Sequence, residues 1–306
     1  MKITVIGAGA MGCLYGGLLS KNQENQIYLV DIMQDHVDAI NRHGLQIESE
    51  GVIDTYKNLK AYTTVEGLDQ TDLIILFVKS ISTADALKTS HNIIGEKTIV
   101  MTLQNGLGNI DLIAEAIGND HVIGGTTAHG ATMLGPGKIR HAGIGKTVIG
   151  ELNGIKTKRL KEIAKLFNKS NIDTEISDNV LGLIWDKLIV NVGINPLTAI
   201  TGQCNGELLK HPELEELLVA AVKEAHTIAI RKGIKLSFEP IEHTKDVCLK
   251  TASNRSSMLQ DVLKHRQTEI EMINGAIVRE GNSLGIETPV NKTLTNLIKF
   301  LEKKSN

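Results

Sequence analysis

Between Leu183 and Ile200 the sequence LIWDKLIVNVGINPLTAI is almost wholly apolar, yet Lys187, Asn191 and Asn195 recur in it at intervals of four. On a helix each step of four advances about 400°, so the three side chains drift about 40° per step and share one face along about 12 Å. A helix that is apolar nearly all round is normally buried, and a buried ammonium or amide without a partner costs several kcal/mol or changes its protonation state. Such a stripe suits one wall of a cleft in which an ammonium meets a small polar molecule. Its plainer alternative pairs Lys187 with Asp186 or Asp178 and the asparagines with loop backbone. Pro196 should bend the segment at Asn195, because proline removes a helix hydrogen bond and restricts the residue before it.

Ser257 and Glu269 are further candidates for acid–base or hydrogen-bonding work. On one continuous helix, their separation of twelve positions would set them about 18 Å and 120° apart, out of reach of one small substrate. Ser257-Met258-Leu259-Gln260 and Thr268-Glu269-Ile270-Glu271 both have capping-box form, however, and two helix starts imply a break between them. A break lets both residues converge on Lys187. Read structurally instead, Ser257 is an N-cap and Glu269 a first-turn acid favoured by the helix dipole.

The elements that must position these groups follow from the chain in order. KITVI at residues 2–6 leads into Gly7-Ala8-Gly9-Ala10-Met11-Gly12 and then a helical pattern. Strand, G-x-G-x-x-G and helix in that order form a dinucleotide-binding fingerprint, in which the loop amides and the helix N-terminus face the phosphates. A second strand, Gln26–Val30, ends in Asp31, placed to accept from the ribose hydroxyls of NAD and to repel the 2′-phosphate of NADP; no cation follows in IMQDH. Buried strands around Asp72–Val78 and Thr98–Leu103 end in Lys79 and Asn105, at the carboxyl edge where an open parallel sheet binds ligands. From His121 to Glu151 short strands with a Gly135-Pro136-Gly137 turn suggest an extension of that sheet. His129 there reads as a strand histidine rather than an acid–base group. A helix over 156–168 and a strand over 172–176 close the α/β half, and the rest is helical.

Composition bounds the function. At 306 residues and 42% hydrophobic content the chain can bury a good core in two domains, expected at 1–176 and 177–306. A formal net charge of −2, a pI near 6.6 and 3% aromatics offer neither the field nor the stacking surface that nucleic acid needs. Cys13, Cys204 and Cys248 are widely separated and lack metal-ligand pairing, which points to no metal, a reducing compartment and buried thiols. No apolar stretch is expected to span a membrane, and the cytoplasm is the expected location.

KITVIGAGAMG, LFVKS, LQNGLG, GGTTAHGA, WDKLIVNVGINPLTAITGQCNGEL, SNRSSMLQD and TEIEMINGAI together resemble the ketopantoate reductase (2-dehydropantoate 2-reductase) family over nearly the whole length. The resemblance implies an α/β fold: an N-terminal Rossmann-type domain, then an all-helical C-terminal domain of the 6-phosphogluconate-dehydrogenase C-terminal-like type, with the active site between them. It implies NADPH-dependent reduction of 2-dehydropantoate to (R)-pantoate on the route to pantothenate and coenzyme A, and it is compatible with a homodimer. By the same resemblance Lys187 is the catalytic acid and Glu269 its partner. Asn191, Asn195, Asn254 and Ser257 contact substrate, while Asn105 and Lys79 sit where the family contacts cofactor and substrate. NADPH-using members carry an arginine where this chain has Asp31, so the local chemistry favours NADH. The departure is similar to that of NAD-linked D-2-hydroxyacid dehydrogenases acting on branched or aromatic 2-keto acids. A reading of another class is a non-catalytic NAD(P)H sensor, against which the full set of polar residues speaks.

Overall fold

The structure, a computed structural model, describes residues 1–304. The chain divides into two compact units, one of Met1–Gln104 and Asn109–Val180, the other of Asn105–Gly108 and everything from Leu181 onward.

In chain order the first unit holds β1 (Lys2–Ile6), α1 (Ala10–Leu19), β2 (Gln26–Val30), α2 (Gln34–His43), β3 (Leu45–Ser49), β4 (Val52–Tyr56), β5 (Lys60–Tyr62), β6 (Leu73–Leu76), α3 (Thr83–Thr89), β7 (Ile99–Thr102), α4 (Asn109–Ile117), β8 (Val122–Thr127), β9 (Gly130–Gly135), β10 (Lys138–Gly143), β11 (Thr147–Glu151), α5 (Lys158–Lys169) and β12 (Thr174–Ile176). Eight strands form one sheet in the order β12-β11-β8-β7-β6-β1-β2-β5, parallel throughout except where β11 runs against β8. Its central strands are Ile-, Leu- and Val-rich with both faces buried, as a parallel sheet under helices requires. Loops bearing Gly7, Asp31, Lys79 and Gln104 leave the carboxyl ends of β1, β2, β6 and β7.

The short strands between His121 and Glu151 do not simply extend this sheet. Only β8 and β11 join it, whereas β9 and β10 pair with β3 and β4 in a second, four-stranded sheet of order β4-β3-β10-β9. Its joining step is the parallel pairing of β10 with β3, Lys138 opposite Gln46, a long-range contact that local alternation does not encode. Helix α1 packs between the two sheets: a Cβ at Gly16 would lie 2.4 Å from Leu29 of the large sheet, and one at Gly17 2.6 Å from Ile47 of the small one. Two apolar faces explain why AMGCLYGGLL is hydrophobic all round rather than amphipathic.

The second unit is helical: α6 (Val180–Thr201), α7 (Pro212–Arg231), α8 (Pro240–Lys250), α9 (Ser257–Leu263), α10 (Asn274–Leu284) and α11 (Pro289–Lys304), with no strand among its described residues. Its core gathers Trp185, Leu188, Val192, Val222, Ile277 and Ile298. One expectation needs correction here. The 22 residues of α6, at a mean hydropathy of 1.3 in their most apolar window, are long and apolar enough to cross a membrane. Two thirds of that window are buried inside the protein, as in the core helix of a bundle. A second correction concerns the thiols: Cys13 and Cys248 are buried, but Cys204 is partly exposed.

Candidate active site

In the first unit the glycine loop is built by close approach. Gly7 has φ +92°, and its Cβ position lies 2.4 Å from Val78 N, so only glycine makes this turn. The amides of Gly7 and Ala8 both donate to the Val30 carbonyl, at 2.9 and 3.0 Å, which ties the loop to the end of β2. A Cβ at Gly12 would lie 2.1 Å from Gly7 O, whereas one at Gly9 would meet nothing within 4 Å. Ala10 and Met11 open α1, where the first amides of a helix have no partner within it. An open backbone surface at Gly9 beside a helix N-terminus fits a pyrophosphate and leaves room for nothing bulkier than glycine there. Asp31 follows β2, its amide donating to Tyr62 O at 3.1 Å and its Oδ1 accepting from the Met33 amide at 3.0 Å. Lys79, partly buried, precedes the 3-10 turn Ser80–Ser82.

In the second unit Lys187, Asn191 and Asn195 lie on α6, one unbroken helix, so the stripe keeps its single face. The local acids considered as partners of Lys187 are engaged elsewhere. Asp186 accepts from the Ser237 amide with both oxygens at 3.1 Å, and Asp178 lies 3.9 Å from Lys156. The acid whose charge acts on Lys187 is Glu269. Burial lowers the Lys187 pKa from its ordinary 10.5 to about 8, with the Glu269 carboxylate drawing it partly back up. Asn105 joins the pair by donating from Nδ2 to Glu269 Oε2 at 3.2 Å. Backbone contacts put it there: Leu107 N donates to Met272 O at 2.9 Å, and Gly106, at φ +85°, lies so close that a Cβ would sit 2.4 Å from the same oxygen.

The break expected between Ser257 and Glu269 is present, but its caps differ from those expected. Ser256, not Ser257, caps α9 by accepting from the Leu259 amide at 3.1 Å, and Ser257 is the exposed first residue of the helix. The Ser256 hydroxyl is also 2.7 Å from that of Thr198, three residues beyond Asn195, which pins the start of α9 to α6. Asn254, exposed, precedes this cap, and its carbonyl accepts from the Asn205 amide at 3.0 Å. Thr268 and Glu271 form no capping box. Thr268 bonds to Glu302 at 2.6 Å and accepts from the Ile270 amide, while Glu271 pairs with Lys299 and Arg279. Glu269 leads only the short 3-10 turn Ile270–Met272, and α10 begins later, at Asn274.

Pro196 does not end or break α6. Lacking an N–H, it leaves the carbonyl of Val192 without its helical donor. That carbonyl accepts instead from Asn274 Nδ2 at 3.1 Å, and the same amide nitrogen donates to Asn291 Oδ1 at 2.9 Å. Asn291 in turn donates to Ala221 O and to the half-buried Glu224, so a polar chain with Asn274 and Asn291 fully buried links α6, α10, α11 and α7. Asn274→Ala should therefore destabilise the protein by about 1–3 kcal/mol, the cost of an orphaned buried carbonyl. Adding Pro196→Ala, which restores an N–H facing Val192 O, should recover about half of the loss. Denaturant midpoints of the four proteins check this, and strictly additive losses would refute it.

Sequence reasoning passed over Asn274, Ser256 and His36. The first had no local signal, and the second was hidden by the better capping-box match one residue later. His129 sits in the two-residue connection between β8 and β9 rather than in a strand. Its Nδ1 lies 3.1 Å from His141 Nε2, and burial followed by the His141 charge lowers its pKa.

Residues 3–154 match the family model described as ketopantoate reductase PanE/ApbA, and residues 179–302 match its C-terminal counterpart. The 2-dehydropantoate 2-reductase of Pyrococcus horikoshii is 39% identical over 302 residues, 99% of this chain and 98% of that one. A solved PanE/ApbA family ketopantoate reductase from Ralstonia eutropha JMP134 superposes with a TM-score of 0.92 at 31% identity, covering 100% of this chain and 99% of the other. D-mandelate dehydrogenase, solved with NADH and anilino(oxo)acetate, superposes equally, at TM-score 0.92 and 32% identity over 100% of both chains.

Proposed function

The chain belongs to the ketopantoate reductase family, and we propose that it reduces 2-dehydropantoate to (R)-pantoate with NAD(P)H. The observation that carries the proposal is a single one: a lysine in a desolvated site, with its pKa lowered to about 8 and a carboxylate and an amide gathered around it. When bound, the reduced nicotinamide supplies a hydride to the ketone carbon. Lys187 donates a proton from Nζ to the ketone oxygen as alkoxide charge develops, completing the alcohol. Glu269 keeps Lys187 protonated to higher pH than burial alone would allow, and Asn105 holds Glu269 in place. Asn191, Asn195, Asn254 and Ser257 are proposed to orient the carboxylate and hydroxyl groups of the substrate, which supplies the rate advantage of a fixed geometry. Gly7 to Gly12 carry the pyrophosphate, with Lys79 as a phosphate or ribose contact.

The preferred dinucleotide is proposed to be NADH. Asp31 offers a carboxylate at the end of β2, and neither Ile32, Met33, Gln34 nor Asp35 brings a cation to neutralise a 2′-phosphate. This acid also supports a second reading, an NAD-linked D-2-hydroxyacid dehydrogenase like the mandelate enzyme solved with NADH. One assay separates the possibilities: oxidation at 340 nm of NADH or NADPH with 2-dehydropantoate, benzoylformate or 2-ketoisocaproate. The proposal expects the highest kcat/KM with 2-dehydropantoate and NADH, with NADH preferred at least about tenfold, a difference of about 1.4 kcal/mol. Preference for benzoylformate moves the assignment to the second reading, and preference for NADPH overturns the role given to Asp31.

A further inference from the structure

The glycine loop is held from behind by a residue outside the proposed chemistry. His36, on α2, is 2% exposed, and its ring bridges two backbone groups. Its Nδ1 accepts from the Gly137 amide at 3.0 Å, and its Nε2 lies 2.9 Å from the carbonyl oxygen of Ala8. A ring that accepts at Nδ1 carries its proton on Nε2, so His36 donates to Ala8. The Cys13 thiol donates to the same oxygen at 3.0 Å. Two buried donors thus draw the Ala8 carbonyl inward. The peptide between Ala8 and Gly9 is planar and trans, which points its N–H the opposite way. The outward amide is that of Gly9, the one loop residue whose Cβ position is open.

The other end of the bridge is equally constrained. Gly137 occupies the turn between β9 and β10 at φ +66°, its carbonyl accepts from the Gln46 amide at 2.9 Å, and a Cβ there would press on Ala39 and Ile40 of α2. The small sheet, seen from this side, is a fixed support against which His36 is braced.

We propose that His36 is a positioning residue for the dinucleotide. By bracing the Ala8 carbonyl against the turn at Gly137, it sets the direction in which the Gly9 amide is offered to a diphosphate. The inference rests on the reading of this loop as the dinucleotide site. Its test measures binding of NADH and of ADP-ribose, which carries the diphosphate without the nicotinamide, to wild type, His36→Leu, His36→Gln and His36→Asn. Leucine supplies neither bond, asparagine is too short to span both partners, and glutamine can donate and accept across the gap. Loss of a neutral hydrogen bond that orients a ligand amide corresponds to about a tenfold change in Kd. The expected result is therefore a Kd for both ligands raised about tenfold in the leucine and asparagine variants and restored in the glutamine variant. KM for the keto acid and kcat at saturating NADH should change little. Unchanged affinity in His36→Asn, equal losses in the glutamine and asparagine variants, or a fall in kcat at unchanged Kd would each overturn the proposal. A leucine variant that fails to fold leaves the glutamine–asparagine comparison to decide. If wild type binds neither ligand, the loop reading falls and this inference with it. If wild type binds NADH but reduces no 2-keto acid, the proposed reaction alone falls, and the Kd comparison still decides the role of His36.

Discussion

Replacing Lys187 by alanine should lower kcat by about 10²-fold or more, the usual contribution of a positioned acid, while the affinity for NAD(P)H is retained. Near-normal kcat would remove Lys187 from the chemistry. The pH dependence supplies an independent check. Burial lowers the Lys187 pKa to about 8, and a proton donor must be protonated to act. Activity should accordingly hold below pH 8 and decline as pH rises through that value, whereas a lysine at its ordinary 10.5 would hold activity up to about pH 10. In Glu269→Gln the charge that draws the value upward is gone, so the alkaline limb should move to lower pH in addition to any loss of kcat. A limb that stays fixed in that variant would separate Glu269 from the ionisation of Lys187.

The glycine loop should show an equally large effect, but divided between folding and binding. Gly12→Ala places a Cβ 2.1 Å from a backbone oxygen that has nowhere to go, so stability should fall by about 3 kcal/mol, the upper range for overpacking a tight site. Gly9→Ala meets nothing within 4 Å at a φ of −65°, a conformation alanine accepts, so its melting temperature should match wild type. Its methyl group instead stands where the diphosphate approaches, and its Kd for NADH should rise by at least about tenfold, again about 1.4 kcal/mol. Thermal unfolding and NADH titration of both variants make the comparison. A Gly9→Ala protein that binds NADH normally would show that the cofactor does not approach the loop at that residue.

Much of this was legible in the chain because the signals are local. G-x-G-x-x-G between a β-branched run and a helix is read over twelve residues, and the stripe of Lys187, Asn191 and Asn195 follows from helical spacing alone. The misread features are those decided by distant partners. Spacing alone placed Lys187 on its face but left Asp186 open as a partner; Asp186 is taken by the Ser237 amide far along the chain, and the acid that acts on Lys187 is Glu269, which only the family resemblance had implied. Pro196 was a local reason to expect a bend, and what the local reading could not supply is the partner of the carbonyl it strands, Asn274 on another helix. The capping boxes located the helix break correctly and misassigned both caps, since Ser256, bonded to Thr198, caps α9 in place of Ser257, and Thr268 is drawn off to Glu302. The second sheet had no local signature at all, as β3 and β10 become strands of one sheet only when they meet.

That meeting also sets an order of events. The ion pair between Arg140 and Glu48 on the joined strands spans 92 positions of chain, and the bridge from Gly137 to His36 spans 101. Contacts of such separation close slowly, since the intervening chain loses its freedom before the contact repays it. The first helix can form from neighbouring residues within its own stretch of chain, and the turn at Gly7 needs only β2 and the end of β6. The carbonyl that aims the loop is secured only when the excursion through β4 to β9 has folded back. During refolding, NADH binding should therefore wait on closure of the small sheet as well as on formation of the glycine turn, and stopped-flow refolding in the presence of NADH would show it.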